Sequence, residues 1–177
     1  SAFLLNRSSD LEIDTVVSPI ANPWLTTTMR NTLNTIAPGT VDFRRTVAVA
    51  WCAYSHVIQL RNWLPDSVGG VCWLSLDNPG QSPRIPVFCG TTALPKAYET
   101  CGQKQYVPDC ALWQFRRANK LATLSWQSTK KGFNKEILAM EILALDGAPT
   151  TATSSAALNA YTEHIYQESV RRWKALE

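Results

Sequence analysis

The chain has 177 residues, 45% hydrophobic and 18% charged, with a net charge of +3. That balance describes a globular domain, and no apolar run is long enough to span a bilayer. The mild charge is scattered apart from the pairs Arg44-Arg45, Arg116-Arg117, Lys130-Lys131 and Arg171-Arg172, which read as solvated element ends and argue against a nucleic-acid partner.

Residues 1–44 are rich in Thr, Asn, Ser and Pro and read mostly as loop. Within them Leu25 to Ile36 predicts a short helix, with Met29, Leu33 and Ile36 at helical spacing and Pro38 closing it. A β meander is predicted over residues 45–95. Thr46 to Leu60 carries apolar groups at both parities, which predicts a long strand covered on both faces. Breakers at Pro65, Asp66, Gly69 and Gly70 turn the chain into a strand from Val71 to Leu76. A second cluster, Asp77 to Pro83, turns it into Ile85 to Cys89. Connections this short favour antiparallel neighbours, because a parallel crossover needs a dozen or more residues.

Residues 109–177 read as helices. Asp109 is the predicted cap of a helix through Ser125, with Ala111, Phe115, Ala118 and Ala122 on its apolar side. A second helix is predicted from Phe133 to Leu145, ended by Asp146-Gly147 and Pro149. The last starts near Thr153 or Ser154, with Leu158, Tyr161, Ile165, Trp173 and Leu176 as its stripe. Strands followed by helices make a single α+β domain.

The seven tryptophans, four of them at 51, 63, 73 and 113, predict a thick core. Cys52, Cys72 and Cys89 lie in apolar runs and are expected as buried thiols. Cys101 and Cys110 bracket a loop and are the one pair considered for a bridge. No spacing suits a metal site. His56 is expected to pack among apolar neighbours, and His164 to face solvent. Asn119 falls inside a helix, where an amide needs a partner, so it is expected to bond across to the meander.

Three motifs stand in order: QLRNWLPD at Gln59 to Asp66, GGVCWLSLDNP at Gly69 to Pro79, and PVFCGTTALP at Pro86 to Pro95, with DCALWQFRRANKLA at Asp109 to Ala122 behind them. Together they resemble the dipeptidase A and secernin type of cysteine peptidases. The family more often has Tyr where Phe88 stands and Asn where Arg116 stands. The resemblance implies an N-terminal nucleophile hydrolase, in which the thiol of a first-residue Cys attacks a short peptide while its own α-amine serves as base, with no cofactor. This chain opens with Ser1-Ala2 and its first cysteine is Cys52, so it is expected to be the C-terminal portion of a longer dipeptidase and inactive alone. A rival reading makes Ser1 the nucleophile of a processed subunit.

The resemblance further implies an αββα sandwich of two antiparallel sheets between helical layers. This chain would supply strands to one sheet, and a meander lacking the second sheet would expose apolar side chains. The implied partner is the N-terminal part of the same protein, with self-association as another outcome of an uncovered face. Arg45, which opens the meander, is the candidate catalytic residue, binding a carboxylate or orienting the nucleophile. Arg61, Asp66, Asp77, Asn78 and Asn119 are expected in structural roles. Asp77-Asn78 should form a turn bonded to nearby backbone, and Arg61 should pair with Asp66 across the Trp63-Leu64-Pro65 corner. Reduced thiols lean towards a cytoplasmic setting. The competing reading is a non-catalytic binding or assembly domain on the same scaffold.

Overall fold

A computed structural model of the chain describes residues 27–41 and 47–177. In chain order it contains α1 (Thr27–Ile36), β1 (Tyr54–Leu60), the short α2 (Asp66–Gly69), β2 (Gly70–Leu76), β3 (Ile85–Phe88), a 3-10 turn (Lys96–Glu99), α3 (Ala111–Thr123), α4 (Trp126–Asp146) and α5 (Ser155–Lys174). The sheet order is β1-β2-β3 and both pairings are antiparallel. The fold is thus α+β, a small meander followed by helices.

The registers Val57↔Trp73 and Val71↔Phe88 put these four side chains on one face of the sheet. That face packs against α3 and α5. Beneath it Phe115, Phe133 and Trp173 meet edge to face, with ring centroids 5.9 and 6.1 Å apart, a geometry that adds quadrupole attraction to apolar burial. The Thr162 hydroxyl of α5 donates to the Pro86 carbonyl at 2.8 Å, so a buried carbonyl of β3 is satisfied by the helix on which the strand rests.

α3 buries Ala111, Phe115, Ala118 and Ala122, the side its periodicity predicts. Its start differs from expectation. Asp109 is exposed and Cys110 occupies the N-cap position without a side-chain bond; the first-turn amides of Trp113 and Gln114 close instead on the Cys110 carbonyl. α4 begins at Trp126, seven residues before the predicted Phe133. The TLSWQST stretch masks this start because Ser and Thr are weak helix formers. Here Trp126 is buried beside Phe133, and the Thr129 hydroxyl bonds the Ser125 carbonyl at 3.1 Å. α5 starts as predicted, the Ser154 hydroxyl accepting from the Ala157 amide.

The predicted strand over 46–60 is the main correction. Pairing begins only at Tyr54 and burial alternates along β1 rather than being complete. Residues 47–53 form a turn in which the Cys52 amide donates to the Val49 carbonyl at 3.1 Å. Carbonyls of this turn are bonded by side chains of α3, Lys120 to Ala50 and Arg116 to Cys52, which no strand propensity foretells.

His56, expected to be packed, faces solvent and stacks on Tyr54 at 6.3 Å. Cys89 and Cys101 are exposed, Cys52 and Cys72 half-buried, and all five thiols are free, Cys101 and Cys110 included. Trp73, Trp126 and Trp173 are buried, whereas Trp51 and Trp63 are 67% and 74% exposed. The tryptophans therefore divide between core and surface. α1 has the predicted position, yet Met29 and Ile36 of its stripe are exposed.

Candidate functional site

Beyond the last residue of β2, Asp77 adopts φ +64°, the one non-glycine among the described residues in the left-handed region. Asp tolerates that region better than most residues. The turn reverses the chain into a loop of buried polar side chains, Asn78, Gln81 and Ser82. The Asn78 side chain accepts from the Gly80 amide at 3.0 Å, a local Asx bond, and donates to Gln81 Oε1 at 2.9 Å.

Across from this loop, one face of α3 presents Arg116 and Asn119. Arg116 Nε donates to Asp77 Oδ1 at 2.6 Å, and Asn119 Nδ2 donates to Asp77 Oδ2 at 2.9 Å and to Ser82 Oγ at 2.7 Å. The indole N–H of Trp173 on α5 is shared between the Gln81 carbonyl and Asn119 Oδ1, both at 3.1 Å. Gln81 Nε2 returns to the Asn119 carbonyl at 3.1 Å. Arg116 also reaches the Cys52 carbonyl at 3.2 Å, and its guanidinium lies 5.5 Å from the Trp113 ring centre. One network thus joins the end of β2, α3, α5 and the turn that leads into β1.

Chemically this is an anchored carboxylate. Both oxygens of the buried Asp77 accept side-chain bonds, from Arg116 and Asn119, so proton abstraction by Asp77 would require dismantling the network. The arrangement holds the Asp77-Asn78-Pro79 corner in one conformation.

The sequence-derived candidates divide between the two ends of the sheet. Asp77, Asn78 and Asn119 meet at one end. Arg61 and Asp66 lie at the other, roughly 20 Å away along the seven-residue β2. Arg61 does not pair with Asp66 as expected: its Nη2 donates to the Val68 carbonyl at 2.5 Å and its amide to the Gly69 carbonyl at 2.8 Å. Asp66 is exposed in the first turn of α2, where a carboxylate is favoured by the helix dipole rather than by a cation. Burial lowers the pKa of Arg61. Arg45, the candidate catalytic residue, lies outside the described residues.

Arg116 was missed. Its pairing with Arg117 suggested a solvated end, yet the two side chains differ sharply, 15% against 57% exposed. The available signal was its place three residues before Asn119, on the same helical face. Gln81, Ser82 and Trp173 gave no such signal.

The model of peptidase family C69 matches residues 20–138, a stretch that contains the Asp77 corner, both ends of the sheet and α3. The chain belongs to peptidase family C69. Among curated proteins it resembles a "Probable dipeptidase" of Latilactobacillus sakei, 30% identical over 69 residues. That match takes in 39% of this chain and 14% of the relative, so the C69 chain described here corresponds to a small part of that protein.

Proposed function

We propose that these residues are the C-terminal portion of a cysteine-type dipeptidase, which cleaves short peptides through an acyl-enzyme on an N-terminal Cys supplied by another part of the polypeptide. The family match over residues 20–138 carries this reading. It is supported by the curated relative named as a probable dipeptidase, of which the match takes in 14%.

The outer sheet face supports the second element of the reading, an αββα sandwich completed by the remainder of the protein. Tyr54, Ile58 and Leu60 on that face are 60%, 63% and 77% exposed, and the registers set them beside Cys72 and Leu74 of β2. A half-bare apolar sheet of this kind marks a surface made to be covered. Arg45 would hold the substrate carboxylate or orient the thiol. The Asp77 network would keep that end of the sheet rigid.

The test is reconstitution. Joined to the upstream part of its reading frame, the chain should hydrolyse dipeptides, and iodoacetamide should abolish the activity. Activity that survives alkylation would refute a thiol mechanism. A non-catalytic assembly domain is the competing reading, favoured by the complete internal pairing of the Asp77 carboxylate. A parent chain that opens on a residue other than Cys, Ser or Thr would select it.

A further inference from the structure

The ladder between β1 and β2 closes at one end with the Asp77 amide on the Ala53 carbonyl, 2.9 Å, and at the other with the Arg61 amide on the Gly69 carbonyl, 2.8 Å. Antiparallel hydrogen-bonded pairs alternate, so the odd-numbered residues of β1 bond β2. The backbone N–H and C=O groups of Tyr54, His56, Ile58 and Leu60 therefore point out of the sheet, along an edge that pairs with no described strand.

Two edges of one sheet are treated differently by the sequence. β3 is four residues long and carries Pro86, and its Pro86 carbonyl is bonded by Thr162 of α5. Short length, proline and a covering helix are the usual protections of an edge. β1, reading YSHVIQL, has seven residues and no Pro, Gly or Lys. The one bond described on its outward groups is local, from the Cys52 thiol to the Tyr54 carbonyl at 3.1 Å. Its outward backbone belongs to the same residues whose side chains are bare. An unprotected edge of this length is a template for another strand.

We propose that the sheet continues past β1: a strand from the portion of the polypeptide outside these residues pairs with the edge of Tyr54–Leu60, which no described residue pairs. This rests on the reading of the chain as part of a longer protein, supported by a curated relative of which the match takes in 14%. The incoming segment must be extended and must present apolar side chains at alternate positions, to lie beside Tyr54, Ile58 and Leu60.

Amide hydrogen exchange tests this by residue. In the 177-residue chain alone, the amides of Tyr54, His56, Ile58 and Leu60 should exchange fast, while those of Ser55, Val57 and Gln59 are slow. Joined to the upstream part, the four even-numbered amides should slow by about 100-fold or more, as ladder amides do. His56→Pro removes an outward N–H only, so it should leave the isolated chain folded and weaken association with the upstream part by about tenfold or more. Unchanged exchange of the four amides in the joined protein overturns the proposal. So does concentration-dependent protection in the chain alone, which would assign the edge to a second copy. Protection without dipeptide hydrolysis would uphold the strand pairing while refuting the peptidase reading, so the two can fail separately.

Discussion

Arg116 and Asp77 form a pair whose halves are not equally replaceable. Arg116→Met keeps the stem but leaves the Asp77 carboxylate buried with one donor, and should lower stability by about 3 kcal/mol, the usual cost of breaking a buried ion pair from one side. A urea-unfolding midpoint close to wild type would show that water replaces the guanidinium. Trp173→Phe keeps the ring packing on Phe115 and Phe133 and removes only the shared N–H. It should cost about 1 to 2 kcal/mol, chiefly through the unpaired Asn119 and Gln81 oxygens. At this scale Asn119 was legible, because an amide inside a helix needs a partner. Arg116 was not. A guanidinium reads as surface until the fold brings a buried carboxylate to it from 39 residues away.

Gly90 links β3 to the helices, and a Cβ there would lie 2.7 Å from Leu158 Cδ1 and 3.0 Å from the Ser67 carbonyl oxygen. Backbone cannot yield as a side-chain tip can. Gly90→Ala should therefore separate β3 from α2 and α5 at a cost of about 1 to 3 kcal/mol, read as a lower unfolding midpoint. On the outer side of α5, bonds from Arg171 and Arg172 hold the Glu168 carboxyl at about 2 against an ordinary 4.5. A depressed folded pKa means the stabilisation is present above the unfolded value and is lost as pH falls from about 4.5 through about 2. Glu168→Gln should flatten that part of the acid-unfolding curve, and an unchanged slope would show the cluster to be screened by solvent. The helices and the meander order could be read from periodicity and turn chemistry. The strand start at Tyr54 could not, since side chains of α3 satisfy the preceding turn, and sequence patterning is blind to bonds of that kind.

At the scale of the whole molecule, the described residues give the sheet a packed helical side and a bare side. Ile58→Thr and Leu60→Thr, both on the bare face, should scarcely change the stability of the isolated chain, within about 0.5 kcal/mol. The same changes should weaken the proposed union with an upstream part. A large loss of stability in the isolated chain would mean that the face is already covered. The sandwich and the thiol nucleophile are expectations carried by the resemblance of the motifs from Gln59 to Pro95. Periodicity carries neither, because a covering layer contributed by other residues would leave no trace in these ones beyond exposed apolar positions. The most direct test of the central claim is a dipeptide hydrolysis assay on the 177-residue chain, alone and then joined to the upstream part of its reading frame. No turnover alone, with turnover in the joined protein that iodoacetamide abolishes, is the result predicted here; hydrolysis by the chain alone, or by the alkylated joined protein, would contradict a thiol carried elsewhere in the polypeptide.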